Sequence, residues 1–238
     1  ATKPFAAVAI GQLWERGLLE LDQHVSEILP DFAVNGKNAI TIRHLLTHTS
    51  GFRSIIDLES DIEAWDQTIR RVCDSRIENK WIPGEKAGYQ IRSSWFILAE
   101  IIRCLDGRSF DIYVREEIFV PLSMDDCWIS MNRELSAEYG DRLAGVYDTS
   151  GIKPERQNFR DDPTFIECCD PGASGRGPAR QLACFYEALM GGGQRCGHRI
   201  ILPQTAETLI SRQRTGMYDH TFQHVMDWGL GFVVNSAI

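Results

Sequence analysis

Apolar segments with helical spacing, each closed by glycine or proline, divide most of the chain. Residues 5–16 are apolar at positions 5, 6, 8, 9, 10 and 13 and are followed by Gly17, a common helix stop. Strand signals are few: a hairpin around Ser150-Gly151 and a strand at residues 230–234. The chain is therefore predicted to be mostly helical, with a sheet that begins near its end. The same helical pattern predicts further helices at residues 41–46, 61–72, 93–105, 110–119, 178–190 and 203–211.

The composition excludes several classes of protein. With 43% hydrophobic and 24% charged residues, the 238-residue chain has the composition of a folded globular protein, not of a disordered tail or a small disulfide scaffold. Its formal net charge of −8 argues against a nucleic-acid partner, because phosphate binding needs a basic surface. No apolar stretch approaches the roughly 18–20 residues of a membrane-spanning helix, so no membrane span is predicted.

The cysteine content bears on the compartment. The count is seven, so at least one thiol stays unpaired, and no C-x-x-C pair occurs. Free, mostly buried thiols in a reducing compartment are expected, which favours a cytoplasmic location. A periplasmic or secreted location stays open, because the chain starts without methionine and looks like an internal piece of a longer protein. The cysteines are residues 73, 104, 127, 168, 169, 184 and 196.

Two histidine pairs have the spacing of metal ligands on a helix. His44 and His48, and likewise His220 and His224, lie four residues apart, so each pair would share one helix face. Neither pair carries the inner glutamate of a metalloprotease helix, and no third ligand is evident. These histidines are therefore predicted to form hydrogen bonds within the fold, and no metal or cofactor is predicted.

A serine-lysine pair is a second candidate for chemistry. In an S-x-x-K motif at a helix start, the lysine amine lies one turn above the serine hydroxyl and can accept its proton. The complete match at residues 150–153 lies in a turn beside Gly151 and Pro154, which is the wrong context. Ala1-Thr2-Lys3, in contrast, opens the first apolar helix. A serine immediately before Ala1 would complete the motif there, and that serine is expected.

Six motifs, of which Ala1-Thr2-Lys3 is the first, occur in an order that is typical of one family. The chain resembles the serine β-lactamase/penicillin-binding-protein-like family, in its class C-like branch, which includes the family VIII carboxylesterases. The segments that carry the resemblance are Ala1-Thr2-Lys3, residues 17–22 with residues 28–30 (GLLELD…ILP), residues 40–51 (ITIRHLLTHTSG), Pro83-Gly84-Glu85 with Tyr89, residues 119–124 (FVPLSM) and residues 228–232 (WGLGF).

The resemblance implies an α+β fold of the β-lactamase/transpeptidase type. Residues 1–238 would be one such domain, mostly its helical part with an incomplete antiparallel sheet, and truncated at both ends. The helical subdomain would span roughly residues 20–175, and the remainder would belong to the α/β part. The nucleophile and the first strands would precede Ala1, and the K-T-G or H-x-G motif would follow Ile238. Arg214-Thr215-Gly216 precedes that place, so it is interpreted as a helix end.

The resemblance also implies a mechanism and a set of site residues. Lys3 and Tyr89 would together activate the serine, with the lysine amine driven toward neutrality by a partly dry site and the phenol pKa lowered by the nearby ammonium. Ile91 stands where the family usually has asparagine, so a substrate-binding role is assigned to an apolar side chain. An isoleucine cannot donate a hydrogen bond to a substrate amide and suits an ester acyl group better than a β-lactam.

The leading interpretation is a serine hydrolase, an esterase that acts through an acyl-serine intermediate on a small-molecule ester or amide. An acyltransferase, and a β-lactamase or D-aminopeptidase using the same site, are alternatives. A non-catalytic penicillin-binding-like sensor is a third. Burst release of an alcohol from a chromogenic ester favours either enzyme over the sensor, and products formed with added acceptors separate hydrolase from transferase. The 238-residue chain alone is expected to be inactive, and no oligomeric state is predicted.

Overall fold

The computed structural model describes residues 2–52 and 64–235. Single turns of 3₁₀ helix lie between several of the helices, and a π-helical turn at Arg115–Phe119 continues the fifth helix. None of the helices in these two ranges is long and apolar enough to cross a membrane. The helices are α1 (Lys3–Glu15), α2 (Ile42–Leu46), α3 (Trp65–Asp74), α4 (Ser93–Asp106), α5 (Phe110–Val114), α6 (Arg133–Tyr139), α7 (Pro163–Glu167), α8 (Ala179–Met190) and α9 (Pro203–Ile210).

The apolar periodicity located most of these helices. Those predicted at residues 5–16, 41–46, 93–105, 178–190 and 203–211 are confirmed to within two residues as α1, α2, α4, α8 and α9. The helix predicted at residues 61–72 begins at Trp65, and residues 61–63 lie outside the described residues. The segment at residues 110–119 divides into α5 and the π-helical turn.

Two short helices, α6 and α7, were missed because they bury few apolar residues. Their start signals are nevertheless present. The side chain of Asn132 accepts a hydrogen bond from the Leu135 amide at 2.8 Å, and Asp162 accepts one from the Thr164 amide at 2.8 Å. Asparagine and aspartate at this position satisfy an amide that has no partner inside the helix. Capping residues therefore carried information that the apolar period did not.

Strands are short and pair only antiparallel among the named elements of the described residues. They form four hairpins: β1 (Tyr147–Asp148) with β2 (Glu155–Arg156), β3 (Gln194–Arg195) with β4 (His198–Arg199), β5 (Tyr218–Asp219) with β6 (His224–Val225), and β7 (Asp227–Trp228) with β8 (Val233–Val234). The α+β class and the hairpin around Ser150-Gly151 are confirmed. The strand predicted at residues 230–234 is too long: the Gly229 amide donates to the Phe232 carbonyl, and Gly231 has a φ of 84°, so a turn precedes β8.

Helix α1 lies at the centre of the apolar core. Its residues 5–13 are buried, and it contacts α4, α5 and α9. Gly11 permits the approach of α9, since a Cβ there would lie 3.1 Å from Leu209 Cδ1. The ring of Phe5 meets those of Phe119 and Phe185 edge-on, at centroid distances of 4.8 and 4.7 Å. This packing fixes the start of α1 in the interior. The division of the chain near residues 20 and 175 stays a prediction.

Truncation of Phe5 to alanine is expected to lower the free energy of unfolding by about 3–5 kcal/mol, because a cavity would remain between two other buried rings. Urea unfolding followed by circular dichroism measures the change. Ile152→Ala is the control, since Ile152 is fully exposed and its loss is expected to change stability by less than about 0.5 kcal/mol. Equal effects of the two substitutions would contradict a core role for Phe5.

The cysteines are less buried than the sequence suggested. All seven are free thiols, but only Cys73 and Cys127 are buried, while Cys104 and Cys196 are exposed. The expectation of mostly buried thiols is wrong, because Cys104 lies on the outer side of the last turn of α4 and Cys196 lies in the β3–β4 turn.

Candidate active site

Lys3 lies in the first turn of α1, with its amine directed into the protein. Thr2, just before the helix, already has helical dihedral angles of −71° and −39°. The Nζ atom of Lys3 donates a hydrogen bond to the carbonyl of Gly172 at 2.8 Å. It lies 5.2 Å from the ring centroid of Tyr89 and 5.6 Å from that of Trp95. The structure therefore brings together Lys3 and Tyr89, the two residues that the sequence singled out for proton transfer.

The surroundings of Lys3 disfavour its charged form. Burial lowers the pKa of its amine to about 8; Asp170 opposes this shift, and Arg92 adds to it. At pH 7 roughly one molecule in ten then carries the neutral amine, against fewer than about one in a thousand for an exposed lysine. A neutral amine can accept a proton, whereas an ammonium cannot.

Tyr89 is held among aromatic rings. Its centroid lies 4.8 Å from the ring of His48, 4.8 Å from that of Phe222 and 5.7 Å from that of Trp228. Burial raises the pKa of the Tyr89 phenol, so this group is neutral and can donate a proton or a hydrogen bond. The expectation that the Lys3 ammonium lowers the phenol pKa is wrong, because desolvation dominates at this position.

A buried ion pair supports the carbonyl that Lys3 contacts. Arg92 Nε lies 2.7 Å from Asp170 Oδ2, and the two side chains are 6% and 5% exposed. The other oxygen of Asp170 accepts a hydrogen bond from the Gly172 amide at 2.8 Å. A Cβ on Gly172 would lie 2.6 Å from the Ile91 carbonyl oxygen, so only glycine fits. Sequence reasoning missed this turn; the Asp-Pro-Gly signal of residues 170–172 was available.

Ile91 is placed by its backbone beside this turn. The carbonyl oxygen of Ile91 packs against Gly172, and Ile91 is 42% exposed. A role for Ile91 in substrate binding stays a prediction.

The pair His44 and His48 lies within the hydrogen-bonded fold. The Nδ1 atom of His44 accepts from the Thr41 amide at 3.2 Å, and that of His48 accepts from the Gln90 amide at 3.1 Å. For His44 and His48 the hydrogen-bonded interpretation is confirmed. No group of three or more potential metal ligands clusters anywhere in residues 2–52 and 64–235.

Arg214 is not part of a helix end, contrary to the sequence interpretation. Helix α9 stops at Ile210, and the Arg214 backbone pairs with Trp228. Its guanidinium is buried and lies 3.2 Å from Asp219 Oδ2. The helical pattern could not distinguish a helix end from an extended segment here, because residues 211–216 carry no apolar period.

Comparison with known proteins identifies the class. The family model described as Beta-lactamase matches residues 1–237. The chain belongs to the beta-lactamase family, and its fold is β-lactamase/transpeptidase-like. The family assignment made from the sequence motifs is confirmed.

The relatives include esterases. The chain is 22% identical to the esterase/beta-lactamase LipL of Mycobacterium tuberculosis, over 98% of this chain and 59% of that protein. It is 30% identical to esterase EstB of Burkholderia gladioli, over 98% of this chain and 64% of that protein. It also resembles the crystal structure of a family VIII carboxylesterase, with a TM-score of 0.86 and 25% identity over 99% of this chain and 66% of that one. The chain thus spans about three-fifths of the length of the two curated relatives.

Proposed function

We propose that this chain belongs to a serine hydrolase that cleaves small-molecule esters through an acyl-serine intermediate, with the nucleophile a serine immediately before Ala1. The observation that carries the proposal is the Lys3 amine, which is partly buried, has a pKa lowered to about 8 and lies 5.2 Å from the Tyr89 ring centroid. Because Thr2 is helical, a residue before Ala1 in the same helix would lie one turn from Lys3, on its face. The esterase relatives support the reaction class.

The proposed reaction follows from these groups. The neutral Lys3 amine takes the serine proton as the serine oxygen attacks the ester carbonyl, and the Tyr89 phenol donates to the oxygen of the departing alkoxide. The alcohol leaves with a proton and the acyl group stays on the serine. The Lys3 ammonium formed in this step is stabilised by the Gly172 carbonyl and by the charge of Asp170. The ammonium gives this proton to the Tyr89 phenolate, and the neutral amine then takes a proton from water as the water oxygen attacks the acyl carbonyl. Transfer of that proton to the serine oxygen releases the acid and restores the serine.

Ile91 supports an ester in preference to a β-lactam. The side chain at this position has no donor or acceptor, so it cannot satisfy a substrate amide, and burying an unpaired amide costs about 1–3 kcal/mol. The amide of a β-lactam's acylamino side chain would bear this cost, whereas a simple ester has no such amide.

The nucleophile can be tested directly. Reading the codon before that of Ala1 in the parent gene is expected to give serine. Mass spectrometry of the parent protein after treatment with a fluorophosphonate is then expected to find one adduct, on that serine, and none on the 238-residue chain alone. Any other residue at that position, or an adduct elsewhere, would overturn the proposal.

The pH dependence of turnover is a further expectation. Below pH 8, kcat/KM for a p-nitrophenyl ester should rise about tenfold per pH unit, and it should level off above that value, because only the neutral Lys3 amine accepts the proton. The measurement is a pH–rate profile of the parent protein corrected for spontaneous hydrolysis. A profile that is flat from pH 6 to 9 would exclude Lys3 as the titrating base.

A further inference from the structure

The backbone of the segment that contains Tyr89 is held by two elements distant in sequence, the loop after α2 and the β5–β6 hairpin. The Gly88 amide donates to the carbonyl of His48 at 2.9 Å, and the Gln90 amide donates to the Nδ1 atom of the same residue at 3.1 Å. Between them, the Tyr89 amide donates to Asp219 Oδ1 at 3.1 Å. Three consecutive amides therefore bind partners outside their own segment. We call the pair His48 and Asp219 the clamp.

His48 can hold two amides because of its backbone conformation. Its φ is 58°, a left-handed geometry that turns its carbonyl and its ring toward the same segment. The residue is fully buried, and its ring lies 4.6 Å from that of Trp228 and 5.7 Å from that of Trp95. Burial, with Lys3 and Arg214 nearby, holds the pKa of His48 well below its ordinary value, so Nδ1 stays an acceptor.

Asp219 is the stronger half of the clamp. It is fully buried, and its Oδ1 atom also accepts from the amides of Thr221 and Phe222, at 2.9 and 3.1 Å. Its Oδ2 atom is paired with Arg214, whose guanidinium also donates to the Thr47 carbonyl at 3.0 Å. Arg214 thus connects the β5–β6 hairpin, which carries Asp219, to the loop that carries His48. A buried carboxylate with this many donors is a rigid anchor.

We propose that His48 and Asp219 are positioning residues that set the place of the Tyr89 phenol relative to the Lys3 amine. This inference rests on the proposed function, and it assigns no contact with the substrate to either residue. Neither side chain moves a proton. The clamp fixes the backbone from which the Tyr89 ring projects, and the rings of His48 and Trp228 limit its rotation. A misplaced donor loses much of its catalytic effect, because proton transfer requires hydrogen-bond reach.

A double-mutant cycle in the parent protein tests the role of Asp219. Tyr89→Phe is expected to lower kcat about 10²-fold, and Asp219→Ala by about 10-fold or more with KM little changed. In the Tyr89→Phe background, Asp219→Ala should have no further effect on kcat per titrated active site, since the phenol it places is absent. Multiplicative losses would overturn the proposal. Asp227→Asn, which changes another buried carboxylate, is the matched control and should leave kcat per site unchanged.

Conservative and activity-independent readouts complete the test. His48→Asn keeps an acceptor near Nδ1 and tolerates the left-handed backbone, so it should retain more activity than His48→Ala. Hydrogen exchange of the Tyr89 amide should accelerate at least tenfold in Asp219→Ala, while the Ile10 amide in α1 is unaffected. Unchanged protection of Tyr89 would overturn the clamp. If the wild type shows no ester turnover, the proposed function fails, and the exchange measurement still decides the clamp.

Discussion

Replacement of Lys3 by methionine is expected to lower kcat/KM for ester substrates by about 10²–10⁴-fold, the range typical of a lost general base. Methionine has nearly the length of lysine and no amine, so it leaves the helix start filled while removing the proton acceptor. Lys3→Arg is the matched control for charge: its guanidinium stays protonated and is expected to restore nothing. Near-normal turnover in either variant, measured with a p-nitrophenyl ester, would contradict the role of Lys3.

Lys3→Met is expected to leave the protein folded. The pKa of Lys3 falls from 10.5 to about 8 on folding, so between these values the unfolded chain binds more protons than the folded one. Wild-type stability therefore rises with pH from about 8 to 10.5, and the charged lysine is unfavourable below this window. Urea midpoints should show Lys3→Met no less stable than wild type at pH 7, with the wild type gaining relative to it as pH rises. If Lys3→Met gained as much stability as the wild type between about pH 8 and 10.5, the lowered pKa of Lys3 would be contradicted.

Removal of the Asp170 carboxylate has the second large expected effect. Asp170→Ala is expected to lower the free energy of unfolding by about 3–5 kcal/mol, because it removes one partner of a buried ion pair. The Gly172 amide also loses its hydrogen-bond acceptor. The Gly172 carbonyl, which accepts from Lys3 Nζ, is then held less firmly in place. Urea unfolding measures the first effect, and the rate of acylation in the parent protein measures the second.

An exposed pair provides the comparison. Asp22 lies 2.6 Å from Arg43, with 71% of its side chain exposed, and Asp22→Ala is expected to cost less than about 1 kcal/mol. The double variant Arg92→Met/Asp170→Leu should recover most of the stability lost in Asp170→Ala, since apolar side chains of similar volume replace both buried charges. If the buried and exposed single variants lost equal stability, burial of the ion pair would not be the cause.

The site combines features that work against folding with features that restore it. A lysine with a lowered pKa costs stability at neutral pH, and the aromatic surroundings of Tyr89 hold its phenol in a partly dry place. The core packing of α1 and the buried pairs Arg92–Asp170 and Arg214–Asp219 hold these groups in place. Changes in the core are expected to lower stability. Lys3→Met is expected to lower turnover without lowering stability at neutral pH.

The sequence by itself determined what depends on neighbours along the chain. Apolar spacing located the main helices, and contiguous motifs identified the family and drew attention to Lys3 and Tyr89. Helix formation and capping involve residues three or four positions apart, so short windows of sequence carry that information. The same windows could have found α6 and α7 from Asn132 and Asp162.

Tertiary structure alone decided which groups surround the two candidate residues. The bond from Lys3 to Gly172 joins positions 169 apart, and the bond from Tyr89 to Asp219 joins positions 130 apart. Such contacts form between loops whose conformation has no periodic signal, as in the left-handed backbone of His48. The pKa of each group follows from the same contacts, because desolvation depends on everything that packs around it. The direction of the Tyr89 shift was therefore decided by the packed site and not by its motif.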